Sequence, residues 1–435
     1  MSAGPTTPPR SHEDQGTGER MPSDLRMTRT LWPILLASAV GLLPFTIFST
    51  YLVPIADESG SSVAAMGGLR GLGGLAALLV GAALAPLIDR FPKEWAAAAG
   101  LGALAVSSAL GASGRYVLLV TFCLLVGAGT AVLNPALTAA AADRFGTGKA
   151  ASRAATLVTA TQSMTAMLAA PVIALPALFW GWEGDLLAVT VVCLLLAAVL
   201  LSRRGRSAAE EPTASGGKLS YLASFKALAS VPGAVPLLLI SLLRTAVFMG
   251  YLAYLAASYD SRFDLDPGLF SLVWTLSGAS FFVSNLLTGR LTNSARPRVR
   301  TENLLVLGLV TALVSVVGFY FTHWLPLALG LTALHAASHA VVAACAVSLL
   351  VRRCGPLRGS ALSLNAAGMS LGVFLGASLG GLGLGLAGYP GVALVFGALT
   401  LAALGAALPL ARLTDGHHGR DEGDEAEPPG PPTTS

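Results

Sequence analysis

The sequence predicts an all-α polytopic membrane protein in which twelve transmembrane helices form two pseudo-symmetric six-helix bundles. Three observations carry this. Of the 435 residues, 54% are hydrophobic and only 11% are charged, whereas soluble proteins carry roughly 25% charged residues. Between Leu31 and Ala411, long apolar stretches alternate with short polar gaps, and a stretch of about 20 apolar residues crosses about 30 Å of hydrocarbon. Positive charge is also sorted by gap. The two tails and alternate gaps hold 23 of the 27 Lys and Arg, leaving only Arg70, Arg115, Arg244 and Arg262 elsewhere. Lys and Arg resist translocation during insertion, so this pattern places both termini on the cytoplasmic side of the plasma (inner) membrane.

Taken in order, residues 1–30 are rich in Pro, Gly, Ser, Thr and charge, with no apolar core. They read as a disordered cytoplasmic tail and not as a cleavable signal peptide. Six spans follow, near Leu31–Val53, Ala65–Ile88, Trp95–Ala112, Tyr116–Ala136, Ala155–Phe179 and Asp185–Leu201. They are apolar on nearly every side, the mark of helices immersed in lipid or buried. Barrel strands would be about ten residues long and would alternate polar with apolar. Trp180, Trp182 and Trp324 sit at the inferred outer edge, where amphipathic rings favour the interface. Residues 202–231 form the longest internal gap, contain SRRGRSAAEEPTASGGK and have the composition of a flexible cytoplasmic linker. That gap divides a first bundle, 31–201, from a second, 232–412. The second contains spans near Gly233–Ala257, Leu269–Leu291, Leu304–Thr322, Leu325–Val347, Ala361–Leu384 and Gly391–Ala411. Residues 413–435 are polar again and read as a second disordered tail, with His417 and His418 as a solvated pair.

A repeat supports the division. RAATL at Arg153–Leu157 leads to Met164-Thr165, and RGSAL at Arg358–Leu362 leads to Met369-Ser370, 205 residues later throughout. The loop from Ala85 through Asp89 and Arg90 matches that from Gly289 through Asn293, 204 residues later. Two separate segments giving nearly one offset argue for a duplicated six-helix unit, and such halves place a binding site between them near the bilayer midplane.

Few polar groups lie within the spans, and an ionisable residue there is a functional candidate because it costs roughly 2.5–3.5 kcal/mol at the membrane centre. Arg244 sits in mid-span 7 and stays protonated, so it needs an acceptor. A substrate anion, a gate partner or structural carbonyls between helices would each serve. His335 and His339 are four apart and share one helical face. They can handle protons, bond within the bundle, or contribute to zinc, although no further ligand motif accompanies them. Arg70 lies about a turn inside the outer end of span 2, from which its side chain can snorkel outward. Cys123, Cys193, Cys345 and Cys354 lack CxxC spacing and read as small core residues.

The chain resembles the major facilitator superfamily of secondary transporters over essentially all of Leu31–Ala411. The family's loop after span 2 reads Gly-x-x-x-Asp-Arg-x-Gly-Arg-Lys/Arg. Here Asp89, Arg90 and Lys93 match, while both glycines are replaced. By resemblance Asp89 holds an inner gate with Arg90 and the equivalent Asn293; a solvated turn is the plainer alternative. Drug–proton antiporters of the superfamily carry Leu-x-x-x-Arg-x-x-Gln-Gly-x-Gly-Ala in span 4. This chain keeps the glycine frame at Gly127 and Gly129 but has Cys123 in place of the arginine. In span 5, Ala170-Pro171 retains only the proline of Gly-Pro-x-x-Gly-Gly. The family architecture makes spans 1, 4, 7 and 10 the cavity lining, which nominates Thr46, Ser49, Cys123, Arg244, Tyr251, His335 and His339.

The resemblance implies an alternating-access carrier of a small organic molecule, coupled to the proton gradient, needing no cofactor and working as a monomer in the lipid bilayer. Efflux of a drug or metabolite fits the residual exporter signatures; import of an organic anion or sugar is the alternative. One arginine and two histidines, with no carboxylate placed in mid-membrane, favour a neutral or anionic substrate. A polytopic enzyme or sensor would carry a nucleophile–base pair, a metal motif or a folded extramembrane domain, and none is seen. The basic residues follow topology, with no basic face interleaved with aromatics for nucleic acid, and no GxxxxGK[ST] is present for ATP.

Overall fold

The computed structural model describes residues 24–88, 91–146, 148–202, 221–292 and 299–424. These are helical, without strands among them. The first span is broken into α1 (Asp24–Val40), α2 (Leu43–Thr50) and α3 (Leu52–Glu58). The other elements of the first half are α4 (Val63–Ile88), α5 (Lys93–Gly111), α6 (Tyr116–Asp143) and α7 (Lys149–Ser202). A short α8 (Tyr221–Ala229) precedes α9 (Ala234–Phe263), α10 (Pro267–Thr292), α11 (Thr301–Phe321), α12 (Leu325–Cys354) and α13 (Arg358–Asp424).

Two of these helices each contain two legs. α7 turns at Gly181, where φ is 69°, and α13 turns at Ala387–Gly388, where Gly388 has φ of 62°. Left-handed backbone is cheap only for glycine, and a glycine stands at each turn that folds a long apolar run back on itself. With α1–α3 taken as one span, α8 set aside, and α7 and α13 counted as two legs each, the described helices match the twelve expected spans. Boundaries move at three places. α1 begins at Asp24, inside the segment read as tail, because Met27 and Leu31 are fully buried. α8 lies inside the expected linker, where Leu228 anchors it in the second half's core. α13 continues to Asp424, past the expected end of the last span.

The duplication seen in the sequence reappears as matched contacts. A Cβ on Gly100 of α5 would stand 2.9 Å from Leu133 of α6, and one on Gly308 of α11 would stand 2.9 Å from Val342 of α12. Glu94 at the start of α5 pairs with Arg144 after α6 at 4.0 Å, and Glu302 at the start of α11 pairs with Arg353 of α12 at 3.1 Å. Every one of these partners is shifted by 208 or 209 residues, close to the offset of the sequence repeat.

The halves meet along two seams, α4 with the first leg of α13 and the first leg of α7 with α10. Call the end bearing both tails the tail face and the other the distal face. Toward the distal face the first seam is close. A Cβ on Gly74 would stand 2.6 Å from Ser370 O, and one on Gly381 would stand 2.8 Å from Ala64 O. In the second seam Trp274 Nε1 donates to Ala166 O at 3.0 Å, and Gly278 abuts Met167. Toward the tail face this contact ends. A Cβ on Gly81 or Gly359 would meet nothing within 4 Å, and Ala82, Asn285, Ser363 and Ala366 are exposed. The bundle is therefore sealed distally and splayed at the tail face.

Candidate functional site

The second half gathers four of the sequence candidates into one buried cluster. Arg244 lies ten residues into α9 and is 4% exposed. Its Nη2 donates to Thr245 Oγ1 at 2.9 Å, and Thr245 Oγ1 in turn donates to Ser241 O. Arg244 Nε is buried with no hydrogen-bond partner among the described residues. One turn on, Phe248 stacks on His339 of α12 at 5.2 Å and on Phe281 of α10 at 5.3 Å. His339 lies within electrostatic reach of Arg244 and meets His335 edge-on at 4.4 Å. A second turn on, Tyr251 packs on His335 at 4.5 Å and shares a 2.8 Å hydrogen bond with Thr332.

The i, i+4 spacing of α12 thus does bring both imidazoles to one face, and that face meets α9. His335 Nδ1 is 3.1 Å from Ser315 Oγ of α11. His335 Nε2 and both ring nitrogens of His339 are buried without a partner. A buried donor or acceptor left unsatisfied costs about 1–3 kcal/mol, and more if charged. Four such atoms lie in this cluster, Arg244 Nε itself and three ring nitrogens of the two histidines. Among the described residues, no group of three His, Cys, Asp or Glu is arranged to hold a metal ion.

The first-half candidates stand apart from this cluster. Thr46 Oγ1 of α2 is spent on Leu42 O at 2.9 Å, whereas Ser49 Oγ and Thr50 Oγ1 are buried without partners. Cys123 of α6 is fully buried. The gate candidates Asp89, Arg90 and Asn293 lie outside the described residues.

Arg70 corrects the sequence reading. Its side chain does not snorkel outward; it is 8% exposed, with its Cζ 5.8 Å from the Phe45 ring and Nη1 buried without a partner. Tyr254 of α9 lies over Gly67, one turn nearer the distal end, on the path by which Arg70 would reach outward. Local pattern around Arg70 carries no sign of a cover supplied by the other half. The Glu94–Arg144 and Glu302–Arg353 pairs were also missed, although their matched spacing was available as a signal in the sequence.

The family model described as Major Facilitator Superfamily matches residues 34–325 and 263–433. No curated protein matches the sequence. Among solved structures, a bacterial homologue of the human lysosomal transporter Spinster, in its inward-facing and occupied conformation, superposes with a TM-score of 0.71 at 14% identity, covering 90% of this chain and 98% of that one. A mutant of the nucleoside transporter NupG gives 0.70 at 15% identity, covering 87% and 99%. The human organic anion transporter MFSD10 gives 0.58 at 18% identity, covering 88% and 99%. At these identities the likeness is one of fold.

Proposed function

This chain belongs to the Major Facilitator Superfamily and is a multi-pass membrane transporter of small molecules rather than an enzyme; from that premise we propose that it exports a neutral or anionic organic compound in exchange for protons. The observation that carries the charge preference is Arg244. It is buried in the second bundle, stays protonated, and has a hydroxyl as its hydrogen-bond partner where a carboxylate would compensate it. An acceptor-rich substrate supplies the missing partner. The two histidines beside it are the groups assigned to carry coupling protons, because each keeps at least one ring nitrogen without a hydrogen-bond partner.

In this reading the splayed tail face is cytoplasmic, as the sorting of Lys and Arg suggests. Substrate enters from there, and the halves rock about the midplane to expose it distally. The protein acts in the plasma membrane as a monomer. Import of an organic anion, with Arg244 as the clamp, is the second reading, and the same buried cation supports it.

The test compares metabolites and a drug panel inside and outside cells lacking the protein, expressing it, or expressing Arg244→Ala, at two external pH values. Expression should deplete particular neutral or anionic compounds from the cell, more so at acid external pH. Arg244→Ala should abolish the depletion while inserting normally. Enrichment inside the cell would select import, and full activity of Arg244→Ala would remove Arg244 from the site.

A further inference from the structure

Arg70 is a second buried cation, on the other half, to which the proposed export mechanism assigns no role. Its guanidinium lies over Phe45 of α2, within electrostatic reach of Cys123 of α6 and Tyr254 of α9. It therefore sits where three helices of the first half meet the central helix of the second. Nη1 is buried and unpartnered, and no carboxylate bonds to the group among the described residues. A cation–π contact offsets only part of the cost of removing a charge from water.

The repeat supplies an internal control. The position 204 residues after Arg70 is Trp274, which also reaches across a seam between the halves. Its indole donor is satisfied by Ala166 O at 3.0 Å. One copy of the position is a complete structural contact, and the other is a buried cation with Nη1 left unpartnered.

Toward the distal end, one turn from Arg70, lies a side chain of the other half, Tyr254. The Tyr254 ring fills the notch left by Gly67, where a Cβ would stand 2.1 Å from Cε1. Its hydroxyl donates to Ala377 O at 2.7 Å within its own half and, more weakly, to Ala64 O at 3.4 Å across the seam. Parting the distal seam would lift Tyr254 from Gly67 and open Arg70 to the distal side.

We propose that Arg70 is a second anion-binding site, which takes the carboxylate or phosphate of the transported molecule when the distal face is open. This rests on the substrate being an anion, one branch of the proposed function. Tyr254 is ten residues beyond Arg244 on α9, a rise of about 15 Å, so the two arginines serve opposite faces and not one small acidic group. Arg244 receives the anion from the tail side, and Arg70 binds it from the distal side.

The test uses right-side-out and inside-out membrane vesicles with benzoate, terephthalate, phenyl phosphate and neutral benzamide as probes, and measures half-saturation from each face. With the distal face outermost, Arg70→Gln should raise half-saturation for the anions at least about tenfold, the loss of one charged hydrogen bond. From the tail face it should behave as wild type. Arg244→Gln, which unlike alanine keeps a hydrogen-bond donor, should raise half-saturation chiefly from the tail face, and Arg70→Lys, which keeps the charge, should fall between wild type and Arg70→Gln. If Arg70→Gln fails to reach the membrane, Arg70→Lys decides the matter by the same asymmetry. Wild-type behaviour of Arg70→Gln on both faces, with Arg244→Gln impaired, overturns this site and keeps the proposed function. Equal impairment on both faces makes Arg70 structural and overturns the site as well. Wild-type transport of benzamide alone, or of no probe, removes the anion reading and this site with it.

Discussion

His335 and His339 face a common partner, Phe248, and differ in what else they touch. Ser315 fixes one nitrogen of His335, while His339 has neither nitrogen bonded and Arg244 nearby. A free imidazole beside a fixed one suits the acceptance and release of a proton as the cavity changes access. If so, the His335→Gln/His339→Gln double mutant should lose accumulation against a gradient while retaining downhill exchange, measured in vesicles with and without an imposed pH difference. An unchanged pH dependence would make the pair structural. At this scale the sequence showed Arg244 and both histidines plainly, because an ionisable residue stands out in an apolar run. It misplaced Arg70, whose outward path is crossed by Tyr254, a residue 184 positions away. Contacts between halves leave no trace in local periodicity.

Among the helices, packing depends on the absence of side chains at particular points. A Cβ on Gly376 of α13 would stand 1.8 Å from Ala246 O of α9, so these backbones touch directly. Small residues permit such approach in membranes, where association depends on packing and not on hydrophobic burial. Gly376→Ala should therefore destabilise the second bundle by about 1–3 kcal/mol, as overpacking does. Gly359→Ala, on the same helix but with nothing within 4 Å, should be neutral or slightly stabilising. Thermal unfolding midpoints of the purified variants in detergent compare the two directly; equal midpoints would mean that the helices part easily at Gly376. The helices themselves were legible, since apolar length dictates spans and the repeat dictates their grouping. Their ends were less so. α1 starts early and α8 forms because Met27 and Leu228 find buried places in the fold, which a composition shift toward polar residues does not reveal.

Across the whole molecule, the two halves touch distally and separate toward the tails. The distal contact is composed of glycine notches and a few hydrogen bonds, with Tyr254 seated on Gly67 at its centre. Such a seal is tight yet carries no ion pair between α4 and α13 among the described residues, which suits a contact that must part in each cycle. Filling the notch should weaken the seal and favour the opposite state. The direct measurement is of spin-label distances across each face in a chain whose four native cysteines are replaced by alanine. Ser62→Cys with Asp264→Cys reports the distal face, and Ser152→Cys with Arg290→Cys reports the tail face. In wild type the distal pair should be short and the tail pair long. Gly67→Ala should lengthen the first and shorten the second in the same molecules. Distances that leave the tail pair unmoved while the distal pair opens, or that do not respond to Gly67→Ala at all, would contradict alternating access by rocking of the two halves.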